Sequence, residues 1–412
     1  MKNKKFFFVA AMAAVMSFGF TACSQDDDIA NVAGNNNAAG VKAPVDFNAI
    51  VGTPGTTRGT AILAANKVAN FQVFGFLEDG TQYVGSALNS GIMIDGTLGT
   101  GDDAANYVSW DYRTASDVAY WPQSWVRFQA ISPATDASFS IESTAKATGV
   151  DFTGYVPAGT EDDGEEQKLT AVVTVPTDQS LQKDIMFAKA ASDGATHTSD
   201  NNPSVGLTFD HAMSQIVFKG KVASDKIAVS ISDIKIMNAK AEGKVGYFGT
   251  NQALAAATTG YANTDYSIGL VASPTLGADE VAAAKDLSAA NGALFMLPQT
   301  VSAWATTAAV PVTVAAADGT ASADGQGILA ITCHITSAGQ DLVGTSAADE
   351  TVYIPFGFTW AQGKKYIYTL VFGKGTGAYD EDGKPLDTML PITYTVSTVN
   401  GWDAITPDDI EF

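Results

Sequence analysis

Val205-Gly206-Leu207-Thr208-Phe209-Asp210-His211-Ala212-Met213-Ser214-Gln215-Ile216-Val217-Phe218-Lys219 alternates apolar and polar side chains over much of its length. A period of two belongs to a strand, whose successive side chains point to opposite faces. Similar short runs lie outward from it on both sides, at Phe71 to Phe76 and at 168–175, 226–236, 309–315, 327–335, 352–358, 365–372 and 390–399. They are rich in β-branched and aromatic residues and separated by Gly, Asp and Asn. This pattern predicts an all-β chain of antiparallel sandwiches, the first strand of which is Val45 to Val51 with Val45, Phe47, Ala49 and Val51 on one face. Helical patterns are few and alanine-driven, the clearest running from Asp279 to Ala290.

The amino terminus predicts where the protein goes. Lys2, Lys4 and Lys5 precede the apolar run Phe6 to Phe20, which is shorter than the roughly 20 residues needed to span a bilayer. Residues 1–22 therefore read as a secretory leader. Phe20-Thr21-Ala22-Cys23 resembles a bacterial lipobox, with Cys23 as the acylated first residue of the mature chain. Ser24-Gln25-Asp26-Asp27-Asp28 resembles the acidic tag that exports lipoproteins of the Bacteroidetes to the outer face of the outer membrane. Residues 23–44 have no hydrophobic period and read as a flexible tether.

Composition agrees with a secreted β protein. The formal charge of −21 falls to −24 once the three leader lysines are removed, and no basic stripe is left to neutralise phosphates. Nucleic acid is excluded as a partner on that ground. About 390 mature residues exceed what one core usually serves, so two domains are expected, at 45–200 and 201–412. Their boundary is placed in the Ala-, Asp-, Asn- and Ser-rich stretch at 190–204. With Cys23 consumed by lipid, Cys333 has no intramolecular partner, and no disulfide framework forms.

Chemistry-bearing motifs are sparse. Gly363-Lys364-Lys365 lacks the rest of a P-loop and reads as a hairpin turn. The glycines at 373, 375 and 377 lead into another turn instead of a helix, which excludes a dinucleotide site. No serine sits in a strand-to-helix elbow. His197 and His334 have no metal ligands at suitable spacing, and His211 reads as a hydrogen-bonded structural residue. The acidic loops at 95–103 and 380–387 offer oxygen ligands for loose calcium binding but depart from EF-hand spacing, and 161–166 reads as a solvated loop. No catalytic residue, cofactor or metal site is expected.

Six motifs in order then carry a family resemblance. Tyr120-Trp121-Pro122 with Phe128-Gln129-Ala130-Ile131-Ser132-Pro133 is similar to a signature of the fimbrillins of Bacteroidetes, the type V pilins. So are Thr57 to Thr60 with Phe71 to Phe76, Asp184 to Ala188, Leu207 to Ile216, Trp360 to Thr369 and Ile392 to Trp402. The resemblance implies two transthyretin-like β-sandwiches in tandem and no enzyme. It implies a lipoprotein precursor that a trypsin-like protease cuts between Arg58 and Gly59, releasing the Val45 to Val51 strand. The vacated groove then takes a donor strand from another fimbrial subunit, of the same or a related kind. Ile392, Tyr394 and Val396 share one face of the donor run 391–399. The mature form would stand in extracellular fimbriae that support adhesion to a receptor of unknown identity, and the membrane is touched only through the lipid on Cys23. Physically, exposed sheet edges invite strand addition. A second expectation, that of a monomeric surface lipoprotein binding glycans, rests on Trp110, Trp121 and Trp125 as stacking platforms.

Overall fold

The computed structural model describes residues 43–51, 68–77, 81–85, 91–134, 139–144, 168–197, 201–246, 263–305, 326–374 and 392–400, apart from residues 102, 103, 105, 273 and 291. Strands dominate the described residues, and helical turns are confined to short 3-10 segments. The first ten strands are β1 (Phe47–Val51), β2 (Asn70–Leu77), β3 (Gln82–Val84), β4 (Ile92–Leu98), β5 (Tyr107–Tyr112), β6 (Trp125–Ser132), β7 (Phe139–Thr144), β8 (Lys168–Thr174), β9 (Met186–Asp193) and β10 (Val205–His211). β11 (Ser214–Val222) and β12 (Ile227–Lys240) follow.

The amino-terminal sheet runs in the order β1-β10-β9-β6-β2-β4-β5, with β3 added beside β2. Two further sheets make a carboxy-terminal sandwich. One carries β11, the strand Lys364–Phe372 and the closing strand Ile392–Asn400; the other carries β12 with Ile328–Ser337 and Glu350–Pro355. Ile216, Phe218 and Val222 of β11 meet Val229, Ile231, Ile234 and Ile236 of β12 in one buried cluster. A register shift between Ile231 and Asp233 lets both Ile231 and Ile234 face inward, as a bulge changes the phase of alternation.

A second cluster lies in the amino-terminal region, built on Phe47, Phe71, Val73, Phe128, Leu207 and Phe209. The two clusters share strands. β2 and β6 are buried on both faces, with Val73 and Phe128 in the amino-terminal cluster and Phe74, Phe76 and Ile131 in the larger one. The described residues from 43 onward accordingly fall in one compact unit.

Three expectations need correcting. The sheets are not wholly antiparallel, because β1 pairs with β10, and β11 with Lys364–Phe372, in parallel. The alanine-rich run at 279–290 is no helix. It makes a 3-10 turn at Ala278–Val281, and then Lys285–Asp286 pairs with β11, so tertiary pairing overrides local propensity. The strand that opens the second expected domain, β10, belongs to the amino-terminal sheet; the chain crosses to the carboxy-terminal sheets only at Ala212 and Met213. Beside Pro122, Trp121 is buried while Tyr120 is exposed; Tyr120 bridges to Pro44, and its carbonyl accepts from Tyr83 Oη at 2.7 Å. The expected strand at 309–315, the loop at 161–166 and residues 1–42 lie outside the described residues.

The Trp360 to Thr369 motif ties its own hairpin together. Gly363 has a φ of +66°, the left-handed conformation that glycine tolerates, and its N–H donates to the Met213 carbonyl at 3.0 Å. Trp360 Nε1 donates to Tyr368 Oη at 2.9 Å, and Tyr366 Oη accepts from the Ala361 N–H at 2.8 Å. The two tyrosines therefore satisfy polar groups that the turn would leave buried.

Candidate functional site

The site is the groove that β1 fills. Alternation puts Val45, Phe47 and Ala49 inward, at 0, 5 and 0% exposure, whereas Ile50 is 45% exposed on the other face. Val51 is half-buried. Phe47 is ringed by aromatic edges, with centroids 5.5 Å from Phe128, 6.1 Å from Phe71 and 6.2 Å from Tyr112, all edge-to-face. That arrangement suits the quadrupoles of the rings. Full burial of Val45 and Phe47 is worth about 3 to 6 kcal/mol.

Among the described residues β1 pairs on one side only, in parallel with β10 from Phe47–Val205 to Val51–Phe209. Its lead-in is gripped from elsewhere. Val45 N–H donates to the Ala119 carbonyl at 2.9 Å, and Trp121 N–H to the Ala43 carbonyl at 3.1 Å. Tyr112 Oη donates to the Val45 carbonyl at 2.6 Å, and burial raises the pKa of its hydroxyl, keeping it a donor. Asn202 Nδ2 reaches the Pro44 carbonyl at 2.8 Å and Asp46 Oδ2 at 3.2 Å. Asn202 is itself held, because its Oδ1 accepts from Trp121 Nε1 at 2.7 Å.

Trp121 is fixed in turn. Its ring stacks on His197 at 3.5 Å and 11°, and His197 Nε2 lies 2.8 Å from Ser192 Oγ. Burial lowers the His197 pKa below its ordinary value, which favours the neutral ring under the indole. β9 and β10 share only the pairs Phe187–Asp210 and Met186–His211, at the end of β9 away from Ser192. Where they diverge, an open cavity of about 360 Å³ is lined by residues that include Lys189, Ser192, His197, Gly206 and Thr208.

The proposed donor residues lie at another sheet edge. The closing strand pairs antiparallel with Lys364–Phe372 from Phe372–Ile392 to Lys364–Asn400. Ile392 is buried, and Tyr394 is half-buried with its ring 5.1 Å from Phe356 and 5.9 Å from Tyr368. Val396 is 51% exposed, because the strand runs out past the end of the core. Cys23, Arg58 and Gly59 lie outside the described residues.

Other sequence candidates resolve into structural contacts. Trp121 is buried and stacked on His197, so it offers no free stacking face; Trp110 and Trp125 are half-buried, and Trp110 Nε1 donates to the Val68 carbonyl at 2.9 Å. His211 Nδ1 lies 2.8 Å from Asp184 Oδ2, and His334 Nε2 lies 2.8 Å from Asp341 Oδ1. Among the described residues no three His, Cys, Asp or Glu side chains are grouped to hold a metal. Asp95 forms a bidentate pair with Arg113 at 2.7 and 2.8 Å, which holds its carboxyl below the usual range. Sequence reasoning missed Asn202, Tyr112 and His197. Asn202 sits in what reads as linker, 81 residues from its Trp121 partner, and no local signal joins them.

The model of a family described as fimbrillin-like matches residues 144–402. No curated protein matches the chain. Solved structures resemble it loosely. A protein assigned to cell adhesion from Bacteroides ovatus aligns with 88% of this chain and 99% of its own, at 14% identity and a TM-score of 0.42. A fimbrilin from Porphyromonas gingivalis aligns with 88% of this chain and 99% of its own, at 13% identity and a TM-score of 0.38. A fimbrial anchor protein from Porphyromonas gingivalis aligns with 87% of this chain and 97% of its own, at 10% identity and a TM-score of 0.34.

Proposed function

The chain belongs to the fimbrillin-like family, and from that membership we propose that it is a structural subunit of cell-surface fimbriae that polymerises by exchanging strands. In this reading the precursor is exported as a lipoprotein on Cys23, and a trypsin-like protease cuts after Arg58. Residues 23–58 leave with β1, and the groove takes the closing strand of another fimbrial subunit. The role is structural, without catalysis, and adhesion to a host or bacterial receptor follows from the filament.

The observation that carries this reading is the placement of β1. It is an edge strand, it lies on the amino-terminal side of Arg58, and it puts Val45, Phe47 and Ala49 into the core. Removing it would leave an apolar slot and the unpaired edge of β10, which in water is a template for another strand. Before cleavage the slot is filled, so the precursor stays folded and unable to polymerise while it crosses the periplasm.

Trypsin treatment of the purified precursor should give one early cut, a new amino terminus at Gly59, and then heat-labile, SDS-resistant oligomers. Arg58→Ala should abolish both the cut and the oligomers. Clean cleavage at Arg58 followed by persistent monomer would overturn the proposal, as would surface filaments whose subunits still carry the acyl group.

A further inference from the structure

We infer that the closing strand of one copy enters the groove of the next in the direction of β1, parallel to β10, with Ile392, Tyr394 and Val396 in the places of Val45, Phe47 and Ala49. This rests on the strand exchange proposed above and adds to it a direction and a register. Its basis is a correspondence within the chain. Pro44-Val45-Asp46-Phe47-Asn48-Ala49 and Pro391-Ile392-Thr393-Tyr394-Thr395-Val396 run alike through proline, a β-branched apolar residue, a short polar residue, an aromatic, a short polar residue and a small apolar residue.

In β1 each class has a physical task. Proline costs nothing at position 44, because the bonds there use the N–H groups of Val45 and Trp121 and the Pro44 carbonyl as acceptor. The side chain at 46 accepts from Asn202 Nδ2, a task that the Thr393 hydroxyl can perform. The ring at 47 fills the slot between Phe71, Phe128 and Tyr112. Asn48 faces outward, as Thr395 would. Reversed about Tyr394, the segment would instead drive Ile392 into the place of Ala49, a position with no exposed surface. Dense packing penalises that swap more than it penalises valine.

Engineered disulfides decide the direction. Asn48 is the partner of Gly206 in the parallel register, and a Cβ added at Gly206 meets nothing within 4 Å. Gly206→Cys combined with Thr395→Cys should cross-link copies of the trypsin-cut protein into a ladder on a non-reducing denaturing gel. Gly206→Cys with Thr393→Cys should leave them unlinked. Cys333 will stay silent, since it is buried and its thiol is pushed up to about 12. A ladder from the Thr393 pair and none from the Thr395 pair would overturn the inferred direction while leaving strand exchange standing. Cut protein that never assembles would overturn strand exchange and this register together.

A second variant tests the register by size. Val396 is 51% exposed in the single subunit, so Val396→Phe should leave the unfolding midpoint in place. In the groove the same ring would overfill the place of Ala49, and assembly of the cut protein should slow by roughly tenfold or more. Assembly at the parent rate would overturn the register.

Discussion

The strands at the two ends of the described chain, β1 and Ile392–Asn400, are both sheet edges, yet they are held by different means. β1 shares a short parallel ladder with β10, and its inward side chains are almost wholly buried. The closing strand shares a longer antiparallel ladder, but its side chains from Thr395 to Thr398 are exposed. A solvated ladder bond contributes only about 0.5 to 1.5 kcal/mol net, whereas each large buried side chain contributes about 1.5 to 3 kcal/mol. Ladder length therefore says where a strand lies, and side-chain burial says how firmly it stays. The better-buried strand precedes the proposed cleavage site, and the more exposed one is the proposed donor.

The contrast is tested most severely by Phe47→Ala. Emptying the aromatic slot should cost the uncut protein about 3 to 5 kcal/mol in urea unfolding. A loss below roughly 1 kcal/mol would show that β1 is held by its ladder after all. Asn202→Ala should cost about 1 to 3 kcal/mol, because it strands Trp121 Nε1 and frees the Pro44 carbonyl. It should also speed amide hydrogen exchange in residues 45–49 more than in 392–398. Tyr112→Phe, which deletes one donor to the Val45 carbonyl, should cost about 0.5 to 1.5 kcal/mol.

Acidity reaches the two ends unequally. Burial raises the carboxyl of Asp210, on the strand that β1 leans against, and that of Asp184 beside His211, each above the ordinary 3.8. The folded state therefore holds these protons more tightly than the unfolded chain does. Their contribution is full below the unfolded value and is lost as pH rises through the raised folded values. Asp210→Asn should flatten the decline in urea midpoint between about pH 4 and neutrality, and an unchanged slope would remove Asp210 from the account. The smallest effect belongs to the closing strand, where Val396→Ala should change stability by no more than about 0.5 kcal/mol.

The groove was partly legible. The inward set Val45, Phe47 and Ala49 follows from alternation alone, because burying one face of a strand forces a period of two. The strands at 71–76, 168–175, 226–236, 327–335 and 365–372 were legible for the same reason. The clamp on Pro44 to Asp46 was not. Asn202, Tyr112 and Trp121 are far apart in sequence, and an asparagine among serines, asparagines and a proline reads as linker until a buried indole is seen to need its oxygen. The run at 279–290 misled for a related reason, since alanine favours a helix locally but β11 offers a partner that local propensity does not register.

The order of residues alone settled that this chain is made of strands, which of their side chains seek the core, and that its motifs are those of fimbrillins. Those properties depend on local periodicity and on short-range chemistry, and both are written along the chain. Three-dimensional packing decided which sheet takes β10, that β1 runs parallel to it, and that β2 and β6 serve two cores at once. A strand's side-chain pattern is the same whichever neighbour it finds. The choice of neighbour is made by the shapes and unpaired groups of segments distant in sequence.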